Sequence, residues 1–329
     1  MGQLPLFLAD EVSKHWFEQG YALEKHGILE EQVDDLVSTY ATFTDQLPVP
    51  DFETLDAMML NPDKLDELDR SADKQAKWHK YRSNHPFIFK PGGYTNRSLQ
   101  ALVLRELRGL EIEEDPKEYF HFLPDSEKVV RRQHKEFDWG PLPPELIKLY
   151  AKFRPIHKLG FQMLRNVMSR MEDLYPGLNN VVVTDEDLSN SPIRLAWYHP
   201  GQGEKLAGTH ADKSWLTGQI AESHQGYRAK HPVTGKMQLL ERDPEYAIVF
   251  PGALLNLDHV YPDSVIIPTD HDVLNVPVPN KGRKLHGENV ARWAIIAFAN
   301  SVFAGEVDKS LTHAGDVAEQ IELSDQAVA

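Results

Sequence analysis

Gly208-Thr209-His210-Ala211-Asp212-Lys213-Ser214 is the stretch of this chain in which residue types and spacing point most directly to chemistry. Residues i and i+2 of a strand face the same way, so His210 and Asp212 can present an imidazole nitrogen and a carboxylate oxygen to one metal ion. In a chain with fifteen histidines such a pair is common by chance. It gains meaning from a second histidine on a facing strand, because two His and one carboxylate form the facial triad that leaves three cis positions open on non-haem Fe(II). Downstream, His224 and His231 fall in a polar stretch read as exposed, and His259 follows Asp258 in a turn. His271 and His286 remain as alternatives.

Composition narrows the donors further. The 329 residues include no cysteine, which removes thiolate ligands, disulfides, iron–sulfur clusters and thiol nucleophiles and leaves His, Asp and Glu to bind metal. A net charge of −15 argues against a surface that neutralises nucleic-acid phosphates and against one drawn to an anionic membrane. No apolar run approaches the roughly 20 residues of a membrane span. The opening MGQLPLFLADEVSKHW has neither the basic region nor the sustained apolar stretch of an export signal. The expectation is a soluble, unexported, cytoplasmic protein without nucleic-acid or membrane partners, whose substrate the charge does not identify.

Elements must exist to position these side chains. From Pro192 onward, short strand-like runs alternate with Gly, Pro, Asn and Asp: Ile193 to Tyr198, Ser214 to Ile220, Met237 to Leu240, Tyr246 to Phe250, Ala253 to Leu257, Ser264 to Ile267, Val273 to Val276 and Ala291 to Phe298. That texture predicts an antiparallel sandwich or barrel. Upstream, apolar residues from Leu146 to Met171 recur at three- and four-residue spacing and predict a long amphipathic helix from about Pro144 to Tyr175, kinked at Pro155. Between Leu8 and Leu47 the chain reads as a helix carrying Trp16 and Phe17 and ended by Gly20, an extended Tyr21-Ala22-Leu23, and an acidic helix after Gly27 bearing Ile28, Val33, Leu36 and Tyr40. The stretch to about Phe137 is polar and irregular, with a turn at Pro91-Gly92-Gly93-Tyr94; Lys117-Glu118 within it reads as a helix-surface pair without chemistry. The whole is expected to be a single domain, 1–329: an N-terminal helical and irregular region (1–140), a supporting helix and connection (141–190), a β core (191–305) and a tail (306–329).

Several segments, in order, resemble one family. Trp16-Phe17-Glu18-Gln19-Gly20-Tyr21 followed by Lys25-His26-Gly27-Ile28 looks like the "GFF…NHGI" segment of the isopenicillin N synthase-like Fe(II)/2-oxoglutarate-dependent dioxygenases. Asp115 to Phe122 resembles their "KE.F" segment, Arg194-Leu195-Ala196-Trp197-Tyr198-His199-Pro200 their "LR..YYP" strand, and His210-Ala211-Asp212 their His-x-Asp. Val249-Phe250-Pro251-Gly252 is similar to their "VN.G" turn and Arg292-Trp293-Ala294 to their "R.S" strand. The distal histidine of the family follows the glycine turn by somewhat under twenty residues, and His271 follows Gly252 by nineteen. The resemblance therefore favours His271, with His286 in reserve.

The resemblance implies an α+β protein with a mainly β core, a double-stranded β-helix (jelly-roll, cupin-like barrel) with N-terminal helices and a long supporting helix. It implies an oxidoreductase that holds Fe(II) on His210, Asp212 and His271 and uses 2-oxoglutarate and O2. The distal carboxylate of 2-oxoglutarate would meet Arg292, a bidentate cation suited to that work, with His199 in the place of a family tyrosine. Arg194, Tyr198 and Trp215 are the candidate substrate contacts. The default outcome is hydroxylation of an unactivated C–H bond of an amino acid, peptide or secondary metabolite, with release of succinate and CO2. Halogenation is disfavoured because Asp212 is present. Two departures bear on the cosubstrate: Ala294 stands where the family has Ser, and His199 where it has Tyr. The alternatives are an isopenicillin N synthase-type oxidase that dispenses with 2-oxoglutarate, and a non-catalytic jelly-roll binding protein.

Overall fold

The computed structural model describes residues 18–45, 94–96, 117–136, 141–171, 191–200, 203–212, 214–241, 243–253, 268–277, 285 and 290–299. The expectations for Trp16 and Phe17, for the turn before Tyr94, for the strand at Ser264 to Ile267, for all but the first residue of that at Ala253 to Leu257, for His259 and His286, and for the tail lie outside these residues.

Strand β1 (Ala22–Lys25) and helix α1 (Glu30–Asp45) occupy the places the amino-terminal pattern assigns them. Gly20 ends the preceding helical turn with φ +84°, a conformation that costs a residue without a Cβ little. The acidic first turn of α1, Glu30 and Glu31, complements the positive end of the helix dipole. Strand β2 (Tyr94–Asn96) pairs with β3 (Lys117–Phe122), and α2 (Ser126–Glu136) follows. These three elements correct the reading of this region as irregular. Lys117-Glu118 lies on a strand, so its two side chains point to opposite faces.

Helix α3 (Pro144–Met171) runs continuously through Pro155. Its opening proline suits a first-turn position, where the missing N–H is not needed. Leu146, Leu149, Tyr150, Phe153, Ile156, Met163, Leu164 and Val167 form its buried stripe. Gly160 brings the helix close to the sheet, because a Cβ there would meet Ile220 Cδ1 at 2.8 Å.

The remaining strands are β4 (Ile193–Tyr198), β5 (Lys205–His210), β6 (Leu216–Glu222), β7 (Tyr227–Lys230), β8 (Met237–Leu239), β9 (Tyr246–Pro251), β10 (His271–Leu274) and β11 (Arg292–Ala299). They form two antiparallel sheets, one of seven strands in the order β1-β9-β6-β11-β4-β3-β2 and one of four in the order β5-β10-β7-β8. Strands β5 and β7 carry charged residues, which masked them in the hydrophobic pattern.

The large sheet is buried on both faces by different partners. One face packs Leu195, Trp197, Trp293, Ile295, Phe120 and Phe122 beneath α1 and α3, with the rings of Phe122 and Phe153 stacked at 5.4 Å. The other face, with Ala196, Tyr198, Ile248 and Phe250, packs on Leu206, Ala207, Tyr227, Ala229 and Val273 of the small sheet. Among the described residues no helix is long and apolar enough to cross a membrane.

Two polar groups test this packing. The fully buried Asp272 of β10 accepts both Nε and Nη2 of Arg228 on β7 at 2.8 Å, Thr209 of β5 at 3.1 Å, and pairs with Lys205 of β5 at 2.8 Å. Replacing Asp272 with Asn should lower unfolding free energy by about 1–3 kcal/mol, because the two cations are partly exposed and recover water; chemical denaturation with an unchanged m-value checks it. On α3, His157 lies between Phe122 and Phe161 and donates Nε2–H to Ser191 O at 2.8 Å. Burial holds this imidazole below its ordinary pKa, against the smaller raising effect of the Ser191 bond. The unfolded chain therefore takes up the proton first, so the stability this residue confers is present above about pH 6.5 and lost as pH falls below it. His157→Gln should flatten the pH dependence of the urea midpoint between pH 7.5 and 5.5 by at most about 1.4 kcal/mol per unit; identical slopes would show that His157 protonates freely in the folded protein.

Candidate metal centre and its cavity

His210 ends β5 and His271 begins β10, and the two stand directly opposite each other in the antiparallel register. Asp212 follows β5 by two residues. The three offer ligand atoms that all lie within 4.8 Å of one another, with His210 Nε2 3.7 Å from one Asp212 oxygen and His271 Nε2 3.6 Å from the other.

Second contacts settle which nitrogen faces the centre. His210 Nδ1 lies 2.8 Å from Gly208 O, and His271 Nδ1 lies 3.0 Å from Thr269 O. A carbonyl only accepts, so each Nδ1 carries the proton and each Nε2 keeps a lone pair for a metal. Asp212 is held by Thr217, which donates to Oδ2 at 2.7 Å, while Ser214 lies 2.8 Å from Thr217. The loop is closed from behind, where Ala253 N–H donates to Asp212 O at 2.8 Å and Gly252 N–H to Trp215 O at 2.9 Å. A Cβ on Gly252 would overlap the Ser214 carbonyl; this is the physical reason for glycine at the turn singled out in the sequence.

Burial pushes the Asp212 carboxyl up, but His271, His210, the Thr217 hydroxyl and Arg194 together hold it below the usual carboxylate range. Burial, and next the His271 charge, push His210 down to about 4. At neutral pH the site is a carboxylate beside a neutral His210, a donor set that fits Fe(II) and leaves coordination positions for other ligands.

The centre opens into a cavity between the sheets enclosing about 450 Å³ of non-atom space, including its mouth. Arg292 lines it from β11, opposite Tyr198 of β4. The guanidinium is almost fully buried and fixed on two sides: Nη2 pairs with Glu222, Nε donates to His224 O at 3.4 Å, and Gln219 steadies Glu222 at 2.6 Å. Neither contact uses Nη1. Ala294 also lines the cavity and brings no hydroxyl. Tyr227 of β7 lines it from the small sheet, packed on Phe250 and His271. Its hydroxyl is buried and has no hydrogen-bond partner among the described residues. Burial, and next the Asp212 charge, raise the Tyr227 phenol well above its ordinary pKa, so it keeps its proton.

Of the other residues the sequence singled out, Arg194 and Tyr198 line the cavity. His199 does not; strand alternation puts it on the helix side, 3.4 Å from Glu118. Tyr198 therefore occupies the cavity-facing position expected of His199, because it is Tyr198 that pairs with Arg292. Trp215 is 1% exposed and belongs to the helix-side core rather than the cavity. His224 is buried, not exposed, and its carbonyl orients Arg292. Sequence reasoning missed Lys117, Thr217, Glu222 and Tyr227. Lys117 was recoverable, since strand alternation in Lys117-Glu118-Tyr119-Phe120 sends it away from the buried Phe120; the other three are defined only by partners distant in sequence.

No family model and no curated protein matches this chain. Solved structures do. A full-length Neurospora crassa protein in complex with alpha-KG superposes with a TM-score of 0.54 at 17% identity, covering 97% of this chain and 93% of that one. The same Neurospora protein with alpha-KG and thymine gives 0.51 at 17% identity, over 94% and 89%. The 2-oxoglutarate complex of AtDAO1, the dioxygenase for auxin oxidation 1 of Arabidopsis thaliana, gives 0.50 at 12% identity, over 92% and 93%. At these identities the likeness establishes a shared fold, one that holds 2-oxoglutarate in those proteins.

Thr217→Val should weaken Fe(II) binding about 10–100-fold while leaving the fold intact, as read by anaerobic metal titration and thermal unfolding. Gly252→Ala should lose the metal site together with stability, because its Cβ displaces the Ser214 backbone rather than a flexible side chain.

Proposed function

We propose that this chain is a non-haem Fe(II)- and 2-oxoglutarate-dependent oxygenase, a double-stranded β-helix forming a single domain over residues 1–329, that hydroxylates an unactivated C–H bond of a small molecule. The observation that carries this reading is the convergence of His210, Asp212 and His271 within 4.8 Å on a cavity that Arg292 also lines.

Bound Fe(II) would supply O2 activation coupled to decarboxylation of 2-oxoglutarate to succinate and CO2. The chain's own residues do the rest. His210 and His271 offer Nε2, and Asp212 offsets part of the metal charge. Arg292 presents Nη1 to the distal carboxylate of the cosubstrate, its other edge being fixed by Glu222 and His224. Tyr198 and Tyr227 flank it and offer the hydroxyls absent at Ala294 and His199. Phe250, Val273, Ala207 and Ile296 supply apolar walls that keep water from competing for these polar contacts. A simple binding protein has no need of the metal triad.

Anaerobic addition of Fe(II) and 2-oxoglutarate should produce the visible metal-to-ligand charge-transfer band of the chelate in the parent protein and in His286→Ala. Ala substitution at His210, Asp212 or His271 should abolish it. Tyr227→Phe should keep the band but raise the 2-oxoglutarate Kd about 10–100-fold, the worth of one hydrogen bond to a charged group. It should leave the melting temperature of the unliganded protein unchanged or higher. Absence of the band from the parent protein, with no uncoupled succinate release in O2, would overturn the reading.

A further inference from the structure

We infer that the substrate carries an anionic group, and that Arg194 is the residue that holds it; this rests on the oxygenase reading of the same cavity. Arg194 lines the cavity. Its Nε donates to His121 Nε2 at 2.6 Å, which requires His121 to be neutral there. Its guanidinium carbon lies 4.9 Å from the ring of Tyr119 and 4.7 Å from that of Phe298. These three contacts orient the group without neutralising it, since none is a carboxylate. Among the described residues no acidic side chain pairs with Arg194, whereas Arg292 has Glu222, Arg228 has Asp272 and Arg170 has Glu24. Its charge does reach the metal centre, where it helps hold Asp212 ionised.

Position separates this cation from the cosubstrate arginine. Arg292 pairs with Tyr198, and Arg194 lies four residues along the same strand, opposite Ile296. Four residues of strand separate the two backbone positions by about 13 Å, and each guanidinium is anchored at its own end, Arg292 by Glu222 and the His224 carbonyl and Arg194 by His121. The stretch between them is lined by Ala294 and Ile296, with Phe298 at the far end. A ligand that fills this space has an apolar body and an acid group that forms a charge-assisted hydrogen bond with the outward edge of Arg194. The two arginines thus offer two anion positions: the distal carboxylate of the cosubstrate on Arg292 and the acid group of the substrate on Arg194.

The test uses the full chain loaded anaerobically with Fe(II), with and without 2-oxoglutarate, and three probe pairs: phenylacetate, 3-phenylpropionate and hexanoate, each with its primary amide. Calorimetry should show at least one acid binding about tenfold or more tightly than its amide, as expected for a charge-assisted contact. Arg194→Met should remove that preference by weakening the acid alone, Arg194→Lys should restore part of it, and both variants should unfold cooperatively and keep the 2-oxoglutarate Kd of the parent. Equal binding of acid and amide in every pair, or a preference that survives in Arg194→Met, would overturn the inference while leaving a charge-transfer band and the oxygenase reading intact. A large loss of 2-oxoglutarate affinity in Arg194→Met and Arg194→Lys would overturn it too, by assigning Arg194 to the cosubstrate. Loss of the band from the parent protein would strike the oxygenase reading, and the acid-to-amide ratio measured without 2-oxoglutarate would still decide the role of Arg194.

Discussion

The antiparallel pairing of β5 with β10 is the constraint from which the site follows. His210 and His271 face each other in that register, and their rings lie 4.4 Å apart at the centroids. A slip of one residue would carry one imidazole to the outer face of the small sheet. Short strands hold register weakly by backbone bonds alone, and β10 has four residues. The pin is the residue after His271. Asp272 points the opposite way, is fully buried, and draws ligating groups from both neighbouring strands, Lys205 and Thr209 on β5 and Arg228 on β7. An unpartnered carboxylate in that position would be severely disfavoured, so any other register carries a penalty on the outer face as well as a displaced histidine on the inner one.

The large sheet solves a second problem by giving its two faces different chemistry. On the helix side the polar residue of β3 is Glu118, which accepts hydroxyls from Tyr40 at 3.2 Å and Tyr94 at 2.5 Å and so ties α1 and β2 to β3. On the cavity side the charged residues that this sheet contributes to the lining are cations, Lys117, Arg194 and Arg292, beside the neutral Thr217 and Gln219. Arg292 is the most deeply set, and burying it depends on Glu222 in the adjacent strand. That ion pair is a geometric device as much as an energetic one: Glu222 and the His224 carbonyl occupy Nη2 and Nε, so the guanidinium plane is fixed before any ligand arrives.

Helix α3 was legible because one buried stripe imposes a helical period, and its start at Pro144 is the expected one. Strands β4, β9 and β11 lie within a residue of the expected bounds because both of their faces are mostly apolar and read as short continuous runs. The His-x-Asp pair was legible because two residues of a strand that share a face lie two apart. What failed was any strand in which charged or polar residues interrupt the run. In Lys117-Glu118-Tyr119-Phe120-His121-Phe122 every second residue meets a helix-side core and the others meet a cavity, so polar and apolar residues fall on both faces and the alternation disappears. The misplacement of His199 has a similar origin. Counting back from Pro200 makes it equivalent to a family tyrosine, but the pairing of Tyr198 with Arg292 sets the face, and that register depends on β11, more than ninety residues away.

Ala294 brings no hydroxyl to the cavity wall, and a hydroxyl stands elsewhere in the lining. A buried hydroxyl without a partner disfavours the folded state by about 1–3 kcal/mol, and Tyr227 carries such a hydroxyl at 4% exposure. It sits on the small sheet and, like Ala294 and Arg292, lines the cavity. A protein indifferent to ligands would gain stability from phenylalanine there, since the ring already stacks on Phe250 at 5.7 Å. Keeping the hydroxyl is understandable if an acceptor enters the cavity beside Arg292, and a carboxylate with its four lone-pair sites is such an acceptor. On the oxygenase reading proposed above, Tyr227 on the small sheet offers the donor that Ala294 on the large sheet does not.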